Sequence, residues 1–205
     1  LLEAAFRRPS WKGERVAFSG ATDCYQPLER RYRLTRACLE VCVRFRNPVG
    51  ILTRSPLIVR DLDLLLELHR HGAVSVSLSL PILDAPTCQA LEPGAPLPAQ
   101  RLRAIAALSE AGLSVGVNVA PVIPGINDRE LPAILKAARS AGARHAWMSR
   151  VRLSTSVAAV FERRLPLLCW VLELMVLTAQ PPNNANQSTD PRVDAQNVPT
   201  SVSGG

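Results

Sequence analysis

Hydroxyl, amide and guanidinium side chains recur in this chain wherever an apolar run of strand length gives out. Ser19, Thr22, Asp23, Tyr25 and Gln26 follow the run Val16–Phe18, and Thr53, Arg54 and Ser55 follow Val49–Leu52. Ser77 and Ser79 close a third run, Asn118, Asn127 and Asp128 a fourth, and Ser149 and Arg150 a fifth. Residues of these types hold polar small molecules by hydrogen bonds, and few of them titrate near neutral pH. No nucleophile–histidine pair accompanies them: His69 and His71 fall at a helix end and His145 near a strand start. No Gly-rich phosphate loop occurs either. The set therefore reads as a binding site for a polar small molecule, with the reaction left open.

The elements that must position these residues alternate. The first strand feeds a polar turn, Thr22–Pro27, and then a helical run over 29–45 in which Leu34, Cys38, Val41 or Cys42, and Phe45 share a face. Asn47-Pro48 ends that helix, because the residue before proline avoids helical geometry. The spacing predicts further helices over 61–70, 97–111 and 128–141, stopped by Gly72, Gly112 and Gly142. In the helix over 97–111, Leu102, Ile105 and Leu108 are expected to face inward. Asn127 and Glu130 have the spacing of a capping box for the helix over 128–141. Strands are expected at 49–52, 74–80, 113–120 and 144–153. Five strands alternating with helices at about thirty residues per unit predict βαβ units, a parallel sheet, and active-site loops at the strands' carboxyl ends.

Length and composition bound the rest. The 205 residues suffice for one domain with a real core, and the composition is that of a globular protein. The net charge of +7 is carried by arginine, since Lys12 and Lys136 are the only lysines, and no aromatic-and-basic cluster accompanies it. The five cysteines, Cys24, Cys38, Cys42, Cys88 and Cys169, are an odd number without a secretory leader, which points to a reducing, cytoplasmic setting. The apolar run 165–179 is too short for a bilayer span and is expected to pack as a C-terminal helix (167–179). From Gln180 the composition turns to Pro, Asn, Ser, Thr and Gly, so 180–205 is expected to be a disordered tail.

Four segments carry a resemblance: TDCYQPLERRYRLTRACLEV from Thr22, NPVGILTRSPLIVRDLDLL from Asn47, VSVSLSLP from Val74 and GVNVAPVIPGINDREL from Gly116. Over about 1–166 the chain resembles the radical S-adenosylmethionine (radical SAM) proteins related to spore photoproduct lyase. The TD-x-YQP-x-E and PG-x-ND blocks are its most specific part. The resemblance implies an α/β fold, a partial TIM-type (β/α)6 barrel. It also implies a [4Fe-4S] cluster on a CxxxCxxC loop and reductive cleavage of S-adenosylmethionine to a 5′-deoxyadenosyl radical. No CxxxCxxC occurs in this sequence. Cys38 and Cys42 form a CxxxC on the apolar face of a helix, where buried structural thiols are the ordinary reading. In the family the motif lies upstream of the region where this chain begins at Leu1. The first barrel unit and the cluster ligands are therefore expected to be missing from a truncated chain.

The resemblance also implies a cofactor site. Ser19, Thr22 and Asp23 would lie near the methionyl end of S-adenosylmethionine, and Arg54, in place of a lysine, would meet its carboxylate. Ser79 would approach the ribose, and Val122 to Asn127 would line the adenine. Each position also has a purely structural reading: Asp23 as a turn cap, Arg54 as a solvated strand end, Ser79 bonded to backbone, Asn127 as a helix cap. Two alternatives to a radical enzyme core stay open on the residues: a non-catalytic truncated or degenerate scaffold, and an arginine-driven nucleic-acid-binding module. The substrate is not legible, and no membrane partner is expected.

Overall fold

A computed structural model of the protein describes residues 1–19 and 22–152. The expectations for the helix 167–179 and the tail 180–205 fall outside the described residues. Five strands, β1 (Val16–Phe18), β2 (Val49–Thr53), β3 (Val74–Ser79), β4 (Val115–Val122) and β5 (His145–Arg150), form one sheet in the order β1-β2-β3-β4-β5. Every neighbouring pair is parallel. The strand order never reverses, as it would in a doubly wound sheet, so the arrangement is the α/β, partial TIM-type barrel with alternating helices that the sequence predicts.

The register explains why the strands read as they do. Phe18, Ile51, Val76 and Val115 form one row across the sheet, and Thr53, Leu78 and Val117 the next. These rows share the core with Leu39 and Cys42 of α3 (Leu34–Phe45), and with Leu65 and Leu68 of α4 (Leu62–Arg70). Ile105 and Leu108 of α6 (Pro98–Glu110) and Ile134 of α7 (Leu131–Ser140) complete it. The opposite face carries the alternate rows: Ala17, Gly50 and Ser75, then Leu52, Ser77, Gly116 and His145, then Ser79, Asn118 and Trp147. That face is small and polar where the other is aliphatic, the period-2 consequence of one-sided burial. At Gly116 a Cβ would stand 2.7 Å from Ser77 Oγ and against the His145 ring, so a larger residue there would have to displace both side chains.

The helices depart from the simple periodic reading in three places. The run 29–45 is two helices, α2 (Glu29–Tyr32) and α3, broken at Arg33, which adopts a left-handed conformation (φ 52°). The break is bought by Glu29. Its buried carboxylate accepts from the N–H groups of Thr35 (3.1 Å) and Arg36 (3.4 Å), so the last residue type expected in a core caps α3 from outside the helix. A short helix α5 (Ala85–Leu91) lies between β3 and α6, where the periodicity predicts no helix; Asp84 starts it by accepting from the Thr87 N–H at 2.9 Å. The helix over 128–141 is a 3-10 turn, Asp128–Glu130, followed by α7.

Ahead of the sheet, α1 (Leu2–Phe6) is fastened by aromatic contacts. Phe6 stacks on Trp11 with centroids 5.0 Å apart and meets Phe45 edge-on at 5.5 Å. Trp11 Nε1 donates to Asn47 Oδ1 (2.8 Å), and Asn47 Nδ2 donates to the carbonyls of Glu14 and Pro48 (both 3.0 Å). This buried amide therefore ties the approach to β1 to the start of β2.

Arg60 closes the Glu29 arrangement by donating to Glu29 Oε1 (2.8 Å) and to both oxygens of the fully buried Asp61 (2.8 and 2.7 Å). Burial alone would raise the Glu29 carboxyl, but the bonds from Arg60, Thr35 and Arg36 outweigh it and hold the group below its usual 4.5. Its stabilisation is complete above pH 4.5 and lost as pH falls through the lowered folded value. Glu29→Gln is therefore expected to flatten the acid limb of stability between pH 5 and 3. Glu29→Ala, which leaves Arg60 and two helix N–H groups short of a partner, is expected to lower unfolding free energy by about 3–5 kcal/mol. Urea melts across that pH range check both; an acid limb identical to wild type in Glu29→Gln would remove Glu29 from this role.

Candidate functional site at the strand ends

Asp23 joins the loop after β1 to the end of β2. Its Oδ1 accepts from the Tyr25 N–H (2.9 Å) and from Thr53 Oγ1 (2.6 Å), and its Oδ2 accepts from the Arg54 N–H (2.8 Å). The carboxylate is thus engaged on both oxygens by the protein itself. Thr53 points to the helix side of β2 and is buried, so its hydroxyl has no water to turn to and Asp23 supplies the acceptor.

A second chain of polar contacts runs beside it. Arg101, fully buried on α6, donates from Nη1 to the Ser79 carbonyl (3.1 Å), from Nε to the Pro96 carbonyl (2.8 Å) and from Nη2 to Glu92 Oε2 (2.6 Å). The other oxygen of Glu92 accepts from Arg54 Nη1 at 2.8 Å. One carboxylate therefore orients two guanidiniums, one interior and one with a side chain still 46% exposed. The link connects the ends of β2 and β3 through residues that the strand-end reading did not single out. The signal was present: Arg101, Ala104, Ile105 and Leu108 are all buried on one helical stripe, while Leu102, expected to face inward, is only partly buried. A charge in an apolar stripe marks a buried ion pair.

Asn127 does not cap a helix by its side chain. Its Oδ1 accepts from the Ile123 N–H (2.6 Å) and its Nδ2 donates to the carbonyls of Pro81 (2.8 Å) and Pro121 (2.9 Å). Glu130, expected to return to the helix start, instead accepts from the Leu83 N–H (2.8 Å). The capping-box expectation is thereby corrected: both side chains fasten the loop after β4 to the loop after β3. The Pro81 carbonyl in the loop after β3 and the Pro121 carbonyl in the irregular end of β4 are both satisfied by the buried Asn127 carboxamide.

A cavity of about 1050 Å³ opens at the ends of β1 and β2, between the loop 22–27, the 3-10 turn Pro56–Asp61 and the start of α6. Thr22, Asp23 and Arg54 line it; Ser79, Val122 and Asn127 do not, and Ser19 is exposed at the end of β1. Ser79 and Val122 are buried at the ends of β3 and β4. The seven residues therefore occupy one rim of the sheet, but only three of them share a cavity. Tyr25 also lines it and is 1% exposed; its hydroxyl makes no hydrogen bond, and Arg60 lies 6.0 Å over its ring. Burial, with the Asp61 carboxylate nearby, pushes its phenol well above the usual range.

Because Glu92 is the ion-pair partner of buried Arg101 among the described residues, Glu92→Gln is expected to destabilise the fold by about 3–5 kcal/mol in urea unfolding. Arg54→Gln, at the exposed end of the same link, should change stability by less than about 1 kcal/mol. Equal losses in the two variants would show that the link is not organised around Arg101.

Sequence comparison places this geometry. The Radical SAM superfamily profile matches residues 1–138. An uncharacterized protein of Mycobacterium tuberculosis, Rv2578c, is 35% identical over 173 residues, covering 83% of this chain and 49% of that protein. A protein of Acidianus two-tailed virus, ORF301, is 38% identical over 120 residues, 58% of this chain and 38% of its own length. The chain thus spans about half or less of the relatives it matches. Among solved structures, Streptococcus suis SuiB bound to S-adenosylmethionine aligns with a TM-score of 0.48 at 14% identity, covering 73% of this chain and 35% of that one. With the family profile covering most of the sheet and its strand-end loops, the chain belongs to the radical SAM superfamily.

Proposed function

We propose that this chain is the cofactor-binding core of a radical SAM protein of the spore photoproduct lyase-like group. The observation that supports this reading most directly is the set of polar links across four consecutive strand ends: Asp23 to Thr53 and Arg54, Arg54 through Glu92 and Arg101 to Ser79, and Asn127 between the loops after β3 and β4. These links fix the loops at four strand ends, the place where parallel sheets bind small molecules. The donors also fit S-adenosylmethionine chemically. Arg54 offers a half-exposed planar fork to a carboxylate. Ser19 and Thr22 are exposed hydroxyls at the methionyl end, with Asp23 holding their loop. Ser79 lies where the ribose would pass. Val122 gives an apolar edge for the adenine, and Asn127 holds the backbone of 121–123 beneath it. When bound, the cofactor supplies the carbon–sulfur bond on which the family's radical chemistry depends.

The thiols among the described residues, Cys24, Cys38, Cys42 and Cys88, do not fit the [4Fe-4S] cluster that the family implies. Among the described residues no three His, Cys, Asp or Glu side chains are grouped to hold a metal ion. Burial, then the Asp23 charge, pushes the Cys24 thiol up to about 12, and burial pushes Cys42 up to about 11; Cys38 and Cys88 are raised by burial as well. Cluster ligation needs thiolates, and these groups are held neutral. The same chemistry favours a second reading, a scaffold that binds the cofactor without its own redox centre.

Isothermal titration of the chain with S-adenosylmethionine tests the cofactor reading. Arg54→Ala is expected to weaken binding by about 10- to 100-fold and Arg54→Lys by less, the range for losing a charge-assisted bond; unchanged affinity in Arg54→Ala would sink the assignment. Alkylation by iodoacetamide at pH 8 tests the thiols. Cys24 and Cys42 should react many-fold more slowly in the folded chain than in urea, and fast reaction of both would reopen them as ligands.

A further inference from the structure

The cavity at the ends of β1 and β2 holds more cationic charge than the cofactor reading uses. Arg30 on α2 and Arg103 on α6 both line it, both are exposed, and neither belongs to an ion pair among the described residues. Arg54, the third guanidinium on the wall, is already paired with Glu92. The carboxylate that lines the cavity, Asp23, spends both oxygens on Thr53 and on backbone N–H groups. Two unbalanced positive charges on separate helices thus line one open cavity. Gln100, in the first turn of the 13-residue α6, adds a donor: its carboxamide oxygen accepts from the Leu97 N–H (2.9 Å), which leaves its NH₂ group free to donate.

We propose that this cavity binds a phosphate monoester, with Arg30 and Arg103 on its non-bridging oxygens and the proline-rich wall around its organic part. Charge and shape together select that class. A phosphate monoester carries about −1.5 to −2 at neutral pH, matching two free guanidiniums, whereas a carboxylate or a phosphodiester carries one charge. Its three outer oxygens point apart in three dimensions and can accept forks arriving from different elements, whereas a carboxylate offers two oxygens in a single plane. The N-terminal end of α6 adds a favourable field for the anion. Pro27, Pro56, Leu57, Pro93 and Pro96 supply an apolar wall that loses no side-chain entropy at its prolines. At about 1050 Å³ the space exceeds what a phosphate group alone would fill. Thr22, Asp23 and Arg54 line the same cavity, so the ester would sit beside the methionyl end of S-adenosylmethionine, on two arginines that the cofactor reading does not use.

Isothermal titration of the full chain with phenyl phosphate, benzoate and a twelve-residue oligothymidylate tests the proposal. Wild type, Arg30→Gln, Arg103→Gln, the double variant, and Arg139→Gln on α7 as a charge control are compared, with circular dichroism confirming that each is folded. Phenyl phosphate is expected to bind, each single variant to lose several-fold and the double variant at least tenfold in affinity, and the control to match wild type. Benzoate should bind at least tenfold more weakly than phenyl phosphate. Failure of phenyl phosphate to bind, an unaffected double variant, or equal affinity for benzoate would overturn the proposal. So would oligothymidylate that depends on both arginines and binds more tightly than phenyl phosphate, since the surface would then serve nucleic acid. A parallel titration with S-adenosylmethionine should not distinguish the double variant from wild type, so the cofactor reading and this site succeed or fail separately.

Discussion

A charge removed from water must be paired, and the carboxyl-end rim of this sheet is built under that constraint. Asp61 is fully buried between Arg60 and Arg36, Glu29 is buried against Arg60, and Arg101 is buried against Glu92. Two of these buried charges also bond to backbone: Glu29 at the start of α3, and Arg101 on the carbonyls of Ser79 and Pro96. Such pairs contribute little net stability relative to an apolar core, yet they tolerate almost no displacement, because an unpaired buried ion is far worse than either. The rim is therefore held in one geometry by electrostatics, while the rest of the sheet is held by burial.

That division follows the two faces of the sheet. Rows such as Ile51, Val76 and Val115 bury aliphatic side chains beneath the helices and need only shape. The opposite rows, with Gly50, Ser75, Ser77 and Gly116, offer little to bury, and beside Gly116 the Ser77 and His145 side chains fill the space a larger residue would take. Polar groups then gather where strands end and the backbone runs out of ladder partners. Asp23, Asn127 and Glu130 each satisfy N–H or C=O groups of loops that join neighbouring strands. Residues that hold a site together and residues that touch a ligand are consequently the same types at the same places, and hydrogen-bond saturation separates them. Asp23 and Asn127 are largely spent on the protein, whereas Arg30, Arg103 and the second half of Arg54 are not.

The alternation of strands and helices, the parallel sheet and the strand-end location of the polar residues were all legible in the chain, because they rest on periodicity and on short-range breakers such as Asn47-Pro48 and Gly142. The family was legible for a different reason: TD-x-YQP-x-E and PG-x-ND are local blocks that survive without any knowledge of contacts. What local pattern could not convey was partnership. Nothing around Glu29 announces that it caps a helix beginning at Leu34, since helical spacing runs smoothly through Arg33. Asn127 and Glu130 satisfy a capping-box pattern and yet bond to Ile123, Pro81 and Leu83.

By itself, then, the sequence determined element type, sheet class and superfamily, which depend on residues within about one helical turn or one strand of each other. Tertiary structure alone decided that Arg101 belongs to Glu92 and Glu92 to Arg54, that Ser79, Val122 and Asn127 stand apart from the cavity reached by Thr22 and Asp23, and that Arg30 and Arg103 face the same space. The physical reason is range. Backbone preference acts along the chain, whereas the pairing of a buried charge is settled by whichever opposite charge the packed helices bring within three ångströms, often tens of residues away.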